Sequence, residues 1–284
     1  MPAPQLTPAV IALVLLAGVL HATWNAIASS IADKTVAFAL LGVAQAGVAV
    51  VVLPIAGLPR DGALAFAAAS ALIHVAYTGA LLLSYRLGDF GRAYPLARGT
   101  APLLVGAGAW FIADEHLSSL QIAGTCTIAA ALTAIVFAGG RLSRADVPAT
   151  TAALLTGATI ASYTVIDGLG VRHAHNPLGY LAVLFLLQQP AILGIAFSRL
   201  RHRPARRLIG DVPTGLGAGV ISVLAYAIVV WAQTHGPLAL VSALRETSVI
   251  SAALIATLFF KEPFARRRLL PSVAVVLGII LIAL

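Results

Sequence analysis

Arg98-Gly99-Thr100, followed by Glu115, returns later in the chain as Arg245-Glu246-Thr247, followed by Glu262. Arginine and glutamate stand seventeen residues apart both times, and Thr100 and Thr247 keep the same offset of 147. Nearer the start, Gly18–Trp24 aligns with Gly157–Tyr163 at an offset of 139. These marks sit in an almost wholly apolar sequence, which reads as a five-helix membrane unit occurring twice. Five is odd, so the second copy enters the bilayer inverted. The matching loops agree: Asp114-Glu115-His116 is acidic, and its counterpart holds Lys261 and Arg266, Arg267 and Arg268. Inverted repeats build a site at their interface in many secondary transporters, so transport is the leading reading.

Composition sets the class. The 284 residues are 60% hydrophobic and only 10% charged, with a mean hydropathy of +0.97. A soluble domain carries roughly a quarter of its residues charged. A bilayer core of about 30 Å takes roughly 20 apolar residues per helix. Ten such segments are expected: Val10–Ser29, Val36–Ile55, Leu64–Tyr85, Tyr94–Ala113, Leu117–Ala138, Pro148–Asp167, Pro177–Ser198, Pro213–Gln233, Leu238–Phe260 and Leu269–Leu284. The expected organisation is an all-α integral membrane protein, with one repeat over residues 1–138, a linker at 139–147 and the inverted repeat over 148–284. Continuous apolar runs without period-2 alternation argue against a β-barrel. The lone Cys126 makes no disulfide framework, and an opening without a basic region argues against a cleaved signal peptide.

The net charge of +8 does not call for nucleic acid. Fourteen of the eighteen lysines and arginines fall in loops after odd-numbered segments, and only Arg60 and Arg172 in the others. The positive-inside rule then makes the odd loops cytoplasmic and puts both termini outside.

Tyr85-Arg86-Leu87-Gly88-Asp89-Phe90-Gly91-Arg92-Ala93-Tyr94-Pro95-Leu96-Ala97-Arg98-Gly99-Thr100-Ala101-Pro102, then Glu115-His116-Leu117 and Gly124, resembles the EamA type of drug/metabolite transporter. His21-Ala22-Thr23-Trp24-Asn25-Ala26 is similar to the first helix of that group, as is the ending from Leu244 through Glu262 to Gly278. The resemblance implies ten helices in two inverted repeats, around a cavity lined mainly by the first, third, fourth, sixth, eighth and ninth. It also implies a small-molecule substrate, often an exported amino acid, a bacterial-type inner membrane and no cofactor. Through it Asn25 and Tyr94 join the substrate-binding candidates. Many members are drawn with cytoplasmic termini; the charges of this chain argue the reverse.

Polar groups at bilayer depth cost at least ~2.5 kcal/mol unless they face protein or water. His21 and Trp24 share one face of the first segment, and His74 and Tyr77 one face of the third. Each histidine is either a neutral bridge between helices or part of a pocket. Tyr163 and Tyr226 lie deep and suit stacking on an apolar substrate portion. Arg98 and Arg245 stay charged, and suit a carboxylate or phosphate, or else tether their helices to neighbours. Pro95 and Pro102 remove backbone hydrogen bonds, so the fourth segment is expected to kink or partly unwind. Proton coupling needs a buried acid or histidine, and Glu246 and His74 are the candidates. Asp167 is placed at the end of its segment, and Glu115 and Glu262 are expected to anchor short turns. No nucleophile–base pair, metal set or phosphate loop is readable, so an enzyme is not expected. A channel or scaffold remains the alternative to a carrier.

Overall fold

The computed structural model describes residues 6–60, 62–88, 90–138, 143–200, 210–259 and 266–284. The helices are α1 (Pro8–Ser30), α2 (Lys34–Ala56), α3 (Ala63–Leu87), α4 (Phe90–Ala113), α5 (Ser119–Ala138), α6 (Val147–Ala174), α7 (Pro177–Leu200), α8 (Val212–Ala232), α9 (Leu238–Arg245), α10 (Ser248–Phe259) and α11 (Arg266–Ala283). Local chemistry sets several starts. Pro8 occupies the first turn of α1, where Thr7 Oγ1 accepts from Val10 N at 3.3 Å. Asp33 caps α2 by accepting from Thr35 N at 2.8 Å. Proline also stands in the first turns of α6 and α8.

Among the described residues, eight helices, α1 to α8, are long and apolar enough to cross a membrane. Large apolar side chains ring the outside: Phe111 is 84% exposed, Leu72 74% and Val51 63%. A water-soluble protein would bury such a belt; lipid solvates it. Between helices in lipid there is no hydrophobic drive, so close packing of small residues decides which helices pair.

α4 packs on α5 within the first half, and the extensive pairings between the halves are α3 with α6 and α1 with α8; α4 with α6, and α1 with α9 and α10; α2 with α8 and α3 with α7. Two more join α2 to α7 and α5 to α11. Exchanging α1–α5 for α6–α11, with α9 and α10 counted as one, turns this set into itself. The α5–α11 crossing shows the same exchange atom by atom. A Cβ on Gly124 would meet Gly278 O at 2.7 Å and Ile282, and one on Gly278 would meet Gly124 O at 2.8 Å and Ile128. Gly18 of α1 abuts Thr247, and Gly157 of α6 abuts Thr100.

Three departures from the sequence reading bear on the site. The segment expected to end at Asp167 runs on to Ala174. Gly168 and Gly170 do not stop it, because both are pressed against neighbours, Leu238 for one and Phe66 and Tyr180 for the other. The unwinding expected in the fourth segment is absent: α4 is continuous through Pro95 and Pro102. Thr100 Oγ1 donates to Leu96 O at 3.0 Å in that stretch, one local bond beside the prolines. The interruption falls instead in the ninth segment, between Arg245 and Ser248.

Near the start of α6, Asp146 accepts from the backbone and side chain of Ser143 and faces Arg92 at 3.7 Å. The backbone bond from Ser143, then the side-chain bond and Arg92, holds this carboxyl below its usual range. The clasp is therefore complete at neutral pH and is lost as acidification protonates Asp146.

Replacing Gly124 by alanine is expected to destabilise the protein by about 1–3 kcal/mol through overpacking. Gly79→Ala, where a Cβ meets nothing within 4 Å, should leave the thermal midpoint in detergent unchanged or raised. Equal midpoints for the two variants would contradict the close α5–α11 crossing.

Candidate functional site

The break in the ninth segment is a tight turn. Glu246 N donates to Ala243 O and Thr247 N to Leu244 O, both at 3.1 Å, in place of the four-residue helical spacing. Such mid-helix tightening exposes backbone and redirects side chains. Gly18 makes room for it, since a Cβ there would lie 3.0 Å from Thr247 Oγ1. Three side chains around the turn keep buried polar atoms without a hydrogen-bond partner: Ser242 Oγ, Ser248 Oγ, and Nε and Nη2 of Arg245.

Glu246, 0% exposed, lies between two buried arginines. Arg98 Nη1 donates to its two carboxylate oxygens at 3.2 and 3.1 Å. Arg245 Nε comes within 3.5 Å of Oε1, an ion-pair distance without hydrogen-bond geometry. Glu246 thus faces both guanidinium groups and hydrogen-bonds to one. Two arginines that cannot shed their protons and one carboxylate leave the group with a net charge of one positive.

The other expected residues surround this group. Arg98 Nη2 contacts His21 Nε2, so that nitrogen is an acceptor and the imidazole is the neutral bridge between α1 and α4. Trp24 meets the His21 ring edge-on at 5.0 Å. The Arg98 guanidinium lies 5.2 Å from the centre of the Tyr94 ring. Tyr77 is in the field of both arginines and packs edge-on to Tyr163 at 5.6 Å. His74 stacks on Tyr163 at 4.0 Å and meets Tyr226 edge-on at 5.8 Å. His21, Trp24, Tyr77 and Tyr94 are half-buried around the sealed arginines. Asn25 is not turned toward the group by its amide nitrogen, which donates to His21 O at 2.8 Å within α1. Glu262 lies outside the described residues.

Sequence reading missed Asp167. Because α6 continues past it, Asp167 is 0% exposed rather than terminal. Its Oδ1 accepts from the Tyr180 hydroxyl at 2.8 Å, and its Oδ2 from the Tyr226 hydroxyl. Also unforeseen is a knot at one end of the bundle. Arg172 Nη2 donates to Glu115 Oε1 at 2.7 Å and Gly236 O at 2.8 Å, and Arg172 Nε to Gln233 O at 2.8 Å. Glu115 Oε2 in turn accepts from Leu238 N at 2.8 Å, capping α9 from another loop.

Two cavities are lined by other residues. One of about 240 Å³ lies among Arg92, Leu96, Asp146 and Ala153, and one of about 520 Å³ among Arg172, His175, Trp231 and His235. Neither lining includes the arginine–glutamate group, where the unbalanced buried charge lies. The chemistry, rather than the size of a hollow, marks the site.

Removing Glu246 leaves two buried cations with no acid, whereas removing Arg245 leaves the neutral Arg98–Glu246 pair. Glu246→Gln should therefore cost about 3–5 kcal/mol, while Arg245→Met should keep or raise the thermal midpoint. The reverse order in a melting experiment would show that Arg245 is the structural partner.

Comparison with known proteins is consistent with this geometry. No curated protein matches the chain. A solved crystal structure superposes with a TM-score of 0.75 at 18% identity, over 97% of this chain and 98% of the other, which is a likeness of fold. Residues 148–284 match the profile of the EamA-like transporter family. Over those residues the chain is similar to the EamA-like transporter family.

Proposed function

We propose that this protein is a secondary active transporter of a small carboxylate-bearing metabolite, an amino acid or a related zwitterion or anion, exported across an inner membrane. The observation that carries the reading is the Arg245 guanidinium, 4% exposed and with Nε and Nη2 unpartnered. A buried cation without hydrogen bonds is costly, and a substrate carboxylate supplies both the charge and the acceptors. Ser242 and Ser248, three residues to either side of Arg245 in sequence, have buried hydroxyls without hydrogen-bond partners. Tyr77, Tyr94, Tyr163 and Trp24 give aromatic faces for the substrate's apolar part. His21 and the Arg98–Glu246 pair hold the neighbouring walls.

The pairings that survive exchange of the halves support a two-fold axis in the membrane plane, relating ten spans as two inverted sets of five, with the units at 1–138 and 148–284. Alternating access then comes from one half rocking on the other about the Arg245 turn. A discontinuous helix at the centre suits this motion. The charge distribution orients the chain with the start of α6 inside and the start of α5 outside.

Thermal-shift screening against amino acids and organic acids should find a carboxylate that raises the midpoint, with no rise in Arg245→Met. The same compound should show saturable counterflow in proteoliposomes. Non-saturating flux would make the protein a channel, and stabilisation persisting in Arg245→Met would remove that residue from the site. In a Cys126→Ser background, an impermeant maleimide should label Ser119→Cys from outside intact cells and Ala145→Cys only after permeabilisation. The opposite pattern would reverse the orientation.

A further inference from the structure

Asp167 is a buried acid that the anion site does not use. It is wholly enclosed, and its carboxylate is bonded by two phenol hydroxyls from different helices, Tyr180 of α7 and Tyr226 of α8. Neither bond brings a cation to it. The titratable groups that feel its charge are His74 from α3, Tyr180 from α7 and Tyr226 from α8; Arg245 of α9 acts on the same His74 and Tyr226, and Tyr163 of α6 packs on Tyr226. Arg98 of α4 acts on the same aromatic cluster through Tyr77. Arg172, the cation one turn further along α6, is committed to Glu115 and to the carbonyls of Gln233 and Gly236.

Charge balance then links the two sites. Arg98 and Arg245 against Glu246 leave one positive charge, and ionised Asp167 supplies one negative charge, so the empty core is neutral. A carboxylate arriving at Arg245 makes that core negative by one. In a medium of low dielectric such an excess is expensive, and the enclosed carboxylate is the group able to absorb it. We propose that Asp167 is a proton-binding site coupled to the anion site, taking up one proton from solvent for each monoanionic carboxylate bound at Arg245. The proton forms an O–H bond on one Asp167 oxygen, and the phenol at that oxygen changes from donor to acceptor. No other bond is made or broken. With the proton on Oδ2, the Tyr226 bond becomes a neutral one in place of a charge-assisted one, which weakens the hold of α8 on α6. By linkage the effect is mutual: a bound anion favours protonation, and protonation favours the anion. A zwitterion that brings its ammonium into the core adds no net charge and takes up no proton.

This coupling rests on the anion-site reading above, and the test separates the two. Difference infrared spectroscopy on the protein in nanodiscs follows the protonated-carboxyl C=O band. The probe is benzoate, isotope-labelled at its own carboxyl carbon to keep it out of that window. At a pH where the ligand-free protein shows no such band, benzoate should produce one, and Asp167→Asn should lack it. Tyr226→Phe removes one donor to the ionised form while the fold is kept, so benzoate should produce a larger band than in the unmodified protein at the same pH. That variant preserves the test if Asp167→Asn fails to fold. Benzoate that binds by calorimetry without producing the band, or a band that survives in Asp167→Asn, overturns the coupling. Failure of benzoate to bind at all sinks the anion site and the linkage with it, and the ligand-free titration still reports whether Asp167 takes a proton.

Discussion

One carboxylate between two guanidinium groups governs the centre of this protein. Glu246 hydrogen-bonds to Arg98 and only approaches Arg245, so the second cation is buried without its full complement of acceptors. Ion groups of this kind seldom stabilise a fold better than apolar residues would. Their retention at bilayer depth therefore points to work done there. Packing is arranged to keep the imbalance: Gly18 admits the Thr247 turn, and that turn presents Glu246 and Arg245 to the same space.

The rest of the molecule holds this centre between two kinds of contact. Small-residue crossings such as Gly124 against Gly278 let backbones touch and fix the frame. Polar knots close it at particular places. Arg172 gathers Glu115 and two carbonyls between α8 and α9, and Glu115 in turn caps α9, the helix that carries Arg245. The knot and Arg245 thus stand at opposite ends of the same eight-residue helix.

Much of this was legible in the sequence, because lipid imposes a simple rule on composition. The apolar segments, the paired Arg98 and Arg245, and the aromatic and histidine faces of α1 and α3 all follow from period and depth. The repeat offsets paired Gly18 with Gly157 and Thr100 with Thr247, but not the glycine of one half with the threonine of the other. Two features were hidden. Prolines mark α4 as the weak helix, yet the interruption lies at Arg245–Ser248, where no proline or glycine announces it. The cause is tertiary: a shared carboxylate and a neighbouring glycine favour the turn. Asp167 was hidden by the opposite effect, since glycines after it suggest an ending while close packing lets the helix continue. Arg172 was counted as a loop charge, and nothing local reveals its partners across 57 to 64 positions of sequence.

The most direct measurement is anomalous diffraction from crystals of the protein grown with para-iodobenzoate. The account predicts an iodine peak among Tyr77, Tyr94, Tyr163 and Trp24, with the ligand carboxylate against Arg245. An iodine peak confined to the lipid-facing surface under saturating ligand, with Arg245 bonded to protein atoms instead, would contradict it.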